Sequence, residues 1–202
     1  MAPIKVKKNP TSFYFKSHTY SRIYPIISFI LFLTSLLFPY WLFIMDAPTY
    51  PEKDLTIAIY ADRLAGDLKE WGTVSKLVGI KVPPPTPELD LKIVPLITII
   101  LAVLSFISAF KGKGWIKLTV VASWLTLASL SAWMQYRLYI IGHDLDPTAP
   151  LRGYVKPFTP PIIGWVTVGG KITVYHWPYI GSILFLVATL LITVLLIRSR
   201  RR

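Results

Sequence analysis

Apolar positions in this chain gather into four long runs, and two stretches between them mix polar and apolar residues. The first run, residues 23–45, is long enough to cross the hydrocarbon core of a bilayer. Runs at 93–110, 115–141 and 179–197 follow, and the pattern predicts four transmembrane helices. Pro25 falls in the first turn of the first helix, and Pro39 is expected to kink its outer end. A basic start before an apolar run also marks a signal peptide. This run is too long for one, and Asp46-Ala47-Pro48 is a poor cleavage site, so the helix is read as retained.

The mixed stretches carry shorter signals. Residues 55–60 alternate and are rich in β-branched side chains, which predicts a strand. Residues 62–78 place Leu64, Leu68, Trp71, Leu77 and Val78 at roughly helical spacing. That predicts an amphipathic helix lying on lipid, on a partner or on the chain's own outer loops. Residues 83–87, Pro-Pro-Pro-Thr-Pro, predict an extended arm. Gly169-Gly170 between 165–168 and 171–175 predicts a β-hairpin. The expected architecture is an all-α integral membrane protein of one domain. A basic arm, 1–22, precedes the first helix. Outer loops 46–92 and 142–178 carry short β-hairpin elements, an inner turn spans 111–114, and a basic tail spans 198–202.

Composition and charge sharpen this picture. The chain is 53% apolar, with a net charge of +12 from 22 Lys and Arg against 10 Asp and Glu. Twelve of those cations fall in the amino-terminal arm, the 111–117 turn and the carboxyl-terminal tail, with no acid among them. The other ten cations balance the ten acids in and beside the two loops. The positive-inside rule then predicts both termini in the cytoplasm, both loops outside and the plasma membrane as location. The basic face suits anionic lipid and not nucleic acid. With no cysteine, the chain has no disulfide, thiolate metal site or catalytic thiol.

Candidate chemistry is sparse. No Asp, Glu, Lys or His lies at the middle of a predicted span, and Arg137 is near the outer end of the third, so self-contained ion-coupled transport is not expected. Lys111-Gly112-Lys113-Gly114 lacks the spacing of a phosphate-binding loop. His143, Asp146 and His176, with Asp144 nearby, are the convergent metal-type ligands and would suit zinc or copper(II), while Met45 and Met134 would suit copper(I). The stronger reading of Asp146-Pro147 is a turn former whose carboxylate bonds the following amides. No set of nucleophile, base and orienting group is visible, so no catalytic residue is expected. Trp71, Phe158, Trp165 and Trp177 are the candidate interaction residues of a rigid, aromatic outer cap, either a docking platform or a lid over the helices.

Two segments carry a resemblance: residues 142–150, Gly-His-Asp-Leu-Asp-Pro-Thr-Ala-Pro, and residues 157–164, Pro-Phe-Thr-Pro-Pro-Ile-Ile-Gly. With residues 60–70 of the first loop, they are similar to a family of small four-helix membrane proteins of thermophilic archaea and bacteria. The family's Asn-His-Tyr-Ile-Gly-Met motif becomes Lys76-Leu77-Val78-Gly79-Ile80 here, without its His and Met, which removes those two as copper ligands. The resemblance covers about a third of the chain and implies association with respiratory and copper-handling systems.

The resulting expectation is a non-catalytic accessory subunit or assembly factor of a membrane redox complex, such as a terminal oxidase or a copper-dependent enzyme. It would pack on larger subunits and dock through its outer loops, without an intrinsic cofactor. One alternative is an extracytoplasmic copper- or zinc-binding protein, and another is a small quinone-interacting membrane enzyme.

Overall fold

The computed structural model describes residues 11–80 and 89–200; side chains are described for 22–80 and 92–199. The proline-rich arm at 83–87, the first ten residues of the basic arm and the last two arginines lie outside the described residues. Among those described, the chain forms five α-helices and a five-stranded antiparallel sheet. The architecture is therefore mixed α/β and not all-α.

The correction begins in the first apolar run. Helix α1 (Thr11–Ser35) ends ten residues before that run does, and the remainder becomes strand β1 (Trp41–Asp46). Pro39 has no backbone N–H to donate and disfavours helix at the residue before it. Beyond it, the bulky Trp-Leu-Phe-Ile-Met sequence suits a strand with neighbours on both sides. Among the residues whose side chains are described, the apolar part of α1, Arg22–Ser35, is shorter than a membrane span, within a helix of 25 residues. Three described helices are long and apolar enough to cross a bilayer: α3 (Leu89–Lys111), α4 (Lys113–His143) and α5 (Ile180–Arg200).

Helix α1 packs between α3 and α5, and α4 packs on the other side of the same pair. Ser105 Oγ donates to the Pro25 carbonyl at 2.8 Å, and Ser28 Oγ donates to the Ala188 carbonyl at 3.0 Å. One turn beyond Ser28 on α1, Phe32 and Phe185 meet edge-on, with centroids 5.0 Å apart. Arg198 donates to the Tyr24 hydroxyl at 2.8 Å, so the Tyr24 turn of α1 and the end of α5 lie together at one end of the helix layer. The sheet lies at the other.

Strands β2 (Leu55–Ile59), β3 (Leu64–Gly66), β4 (Gly164–Val168) and β5 (Ile172–Pro178) complete the sheet in the order β3-β2-β1-β5-β4. Its central pair joins the first and second loops, with Phe43 opposite His176 and Met45 opposite Val174. The predicted β4–β5 hairpin is thus one edge of a larger sheet and not an isolated element. Strand β5 runs straight into α5, and Tyr179 N–H and Ser182 Oγ both bond the Tyr40 carbonyl, at 2.9 and 2.7 Å. Gly181 is required at this junction, because a Cβ there would come within 2.9 Å of the Phe38 and Pro39 carbonyls.

One face of the sheet is covered by helix α2 (Leu68–Val78). Trp71 and Val74 pack with Met45, Leu55, Ile57 and Val174 as a core separate from that of the helix layer. The helix predicted over 62–78 begins only at Leu68, with Leu64–Gly66 paired in the sheet as β3; of the three settings open to it, α2 occupies the chain's own outer layer. The loop after α4 is laced to the end of α2 by Asp146 N–H to Gly79 O at 2.8 Å and Leu151 N–H to Leu77 O at 2.9 Å.

Candidate functional site

A cavity of about 210 Å³ lies where the sheet, α2 and the outer end of α4 meet. Its position follows from helix length. Thirty-one residues at 1.5 Å rise make α4 about 46 Å long, against a bilayer core of about 30 Å, so about ten residues extend beside the sheet. Trp133, Met134, Arg137, Leu138 and Ile141 form that wall. The sheet contributes alternate residues, which share a face by the two-residue period of a strand. These are Phe43 and Met45 from β1, Val166 and Val168 from β4, and Val174 and His176 from β5. Helix α2 supplies Trp71 and Ser75, and the last loop supplies Phe158 and Pro160.

Phe158 is held there by a close approach. Its N–H donates to the Gly142 carbonyl at 3.1 Å, and a Cβ on Gly142 would fall 1.9 Å from the Phe158 carbonyl oxygen. Gln135 Nε2 donates to the Pro160 carbonyl at 3.1 Å and pins the next turn of the loop against α4.

The wall is apolar, but two of its side chains are polar and unpartnered. Buried polar groups are normally hydrogen-bonded. Ten polar residues are buried among those described, and eight bond a backbone carbonyl. The other two are Ser75 and His176, and both line this cavity. Neither ring nitrogen of His176 has a hydrogen-bond partner, although the residue is only 1% exposed. Burial pushes the imidazole pKa below its ordinary value, and the backbone at Ile162, outside bonding geometry, opposes this more weakly. A neutral ring offers one donor and one acceptor. One further orphan atom, Trp41 Nε1, belongs to a residue outside the cavity lining.

The residues singled out in the sequence are spread over three settings. His143 is exposed at the end of α4, its Nδ1 3.0 Å from the Tyr139 carbonyl and its ring stacked on Tyr139 at 4.1 Å. Asp146 Oδ1 accepts from the Thr148 amide at 2.8 Å and from its hydroxyl at 2.7 Å, a turn-forming arrangement. His176 lies under the sheet. Among the described residues, no three of His, Cys, Asp and Glu gather where a metal ion could be held. Met45 and Met134 line the cavity, Met45 also packing in the core with Leu55 and Val74.

Trp71 and Phe158 are cavity walls, Trp165 is 67% exposed on the opposite face of the sheet, and Trp177 is half-buried on that same outer face. Ser75 and Phe43 are site residues that the sequence reading passed over. The signal for Ser75 was its place in the apolar stripe Trp71–Ser75–Val78, where i, i+4 and i+7 share a helix face. The chain matches no protein-family model, no curated protein and no solved structure.

Proposed function

We propose that this is a plasma-membrane protein that holds a small, largely apolar molecule beneath its outer sheet, as a non-catalytic accessory subunit of a membrane redox complex. The observation that carries the binding role is the cavity itself, in which the two buried polar residues without partners face apolar walls. Pockets of this kind, apolar with a few polar groups that fix orientation, are how proteins hold small molecules.

The membrane setting is supported by the three apolar helices, and the orientation by charge. Lys111, Lys113, Lys117 and Arg198 belong to the helix ends away from the sheet, which supports a cytoplasmic place for those ends and an outer place for the sheet. The redox setting is supported by the resemblance of the two loops. The outer sheet face, with exposed Trp165 and Tyr175, is the surface offered to larger subunits.

The test is purification of the full chain from native membranes in mild detergent. The bound proteins are identified by mass spectrometry, and the organic extract is searched for small molecules. Co-purification with redox subunits at fixed ratio, together with about one apolar molecule per chain, is the expected result. A lone chain with an empty extract would remove both parts of the proposal.

A further inference from the structure

We infer that the cavity takes the ring of a quinone, with His176 and Ser75 bonding oxygens at opposite edges of that ring; this rests on the reading of the cavity as a binding site. Size sets the first limit. An engineered apolar cavity of about 150 Å³ binds benzene. At about 210 Å³, this one takes one ring or two fused rings, and excludes a whole lipid or a drug-sized molecule.

Shape sets the second. Phe43 lies parallel to the His176 imidazole, with centroids 5.2 Å apart and 17° between the planes, and Trp71 meets Phe43 edge-on at 6.5 Å. Flat faces and a perpendicular edge suit a planar guest. Charge sets the third. No carboxylate lines the cavity, and Arg137, its one cationic residue, already has an interaction partner. A neutral guest suits this lining.

Polar placement sets the last. His176 projects from the sheet wall and Ser75 from the α2 wall, so a guest that satisfies both carries two oxygens separated by the ring. A 1,4-quinone has this pattern. The imidazole can donate to a quinone carbonyl or accept from a quinol hydroxyl, and the serine hydroxyl can do either. Trp133 is the lining residue nearest the membrane-spanning part of α4 and is exposed, so an apolar tail leaves there toward lipid.

The test is equilibrium dialysis of two probes against the full chain in detergent: 2,3-dimethyl-1,4-naphthoquinone, and 2,3-dimethylnaphthalene, which has the same rings without the oxygens. The quinone is expected to bind about tenfold or more tightly than the hydrocarbon. In His176→Leu that preference should disappear while hydrocarbon binding persists, which also shows that the pocket is intact. Ser75→Ala, a smaller change, should reduce the preference by severalfold and serves if the histidine variant does not fold. Equal binding of the two probes, or a preference that survives both substitutions, overturns the quinone assignment and leaves the pocket reading standing. If neither probe binds, both fall.

Discussion

Phe43 and His176 stand directly opposite one another on β1 and β5, and their rings stack. The imidazole is thereby held in the middle of a sheet, against apolar walls, without a partner for either nitrogen. Its proton affinity is lower folded than unfolded, where the ordinary value is 6.5. Below that pH the unfolded chain binds a proton that the folded chain resists. The contribution to stability is therefore full above about pH 6.5 and is lost as pH falls through the lower folded value.

Ligand-free protein in detergent should accordingly unfold at a lower temperature at pH 5 than at pH 7.5. His176→Phe should flatten this difference. It should also stabilise the protein at pH 7.5 by about 1–3 kcal/mol, because an unsatisfied buried polar side chain is removed. Thermal melts at the two pH values check both. Asp67, which accepts from Lys53 and from the Thr56 amide, has its pKa lowered by those bonds. Its loss begins only near the ordinary 3.8, well below the 6.5 at which the histidine's loss begins.

Gly142→Ala tests the seam between α4 and the last loop. Within an ordinary helix the change stabilises by about 1 kcal/mol. Here the new methyl meets the Phe158 carbonyl, so the sign should reverse, with a loss of about 1–3 kcal/mol. Denaturant titration gives the sign, and weaker binding of an apolar probe should accompany it, because Phe158 is a cavity wall.

The helix layer is tied by Ser28 to Ala188 and by Ser105 to Pro25. Hydrogen bonds between membrane helices contribute about 0.6 kcal/mol each on average. Ser28→Ala with Ser105→Ala should therefore cost about 1 kcal/mol in a reversible unfolding assay. A loss several times larger would mean that the close approach of α1, and not the bonds alone, depends on these serines.

Because the chain has no cysteine, single cysteines report topology without background. Lys171→Cys, at the exposed β4–β5 turn, should react with a membrane-impermeant maleimide on intact cells. Lys113→Cys, at the exposed start of α4, should react only after the membrane is opened. The reverse pattern would invert the orientation drawn from charge.

Much of the outer layer was legible residue by residue, and its assembly was not. Thr56, Ala58, Thr167 and Thr173 alternate with apolar neighbours, and that two-residue period is the mark of a strand with one covered face. Trp41 to Met45 has no such period. A central strand with apolar residues on both faces reads like the end of a membrane helix, and only Pro39 spoke against continuing the helix. With β1 hidden, nothing in the sequence joined the first loop to the second.

The site suffered from the same loss. His176 stood out by residue type, but its setting depends on pairing with Phe43, a long-range contact that no local pattern carries. Ser75 could be placed on the buried face of α2 by helical spacing. That it lacks a partner there is visible only in three dimensions.

The pairing of β1 with β5 also bears on how the molecule is made. Strand β1 leaves the ribosome well before its central partner β5, which lies more than 100 residues further along the chain. Contacts so distant in sequence close slowly. Until β5 emerges, β1 pairs with β2 alone and presents an open edge, a liability in any half-built sheet. Strand β5 is followed at once by α5, whose first turn bonds the Phe38–Tyr40 segment. Closure of the sheet and seating of α5 thus fall at a single step that waits for β5 and α5 to emerge, and a chain cut short before that step lacks the half of the cavity that holds His176.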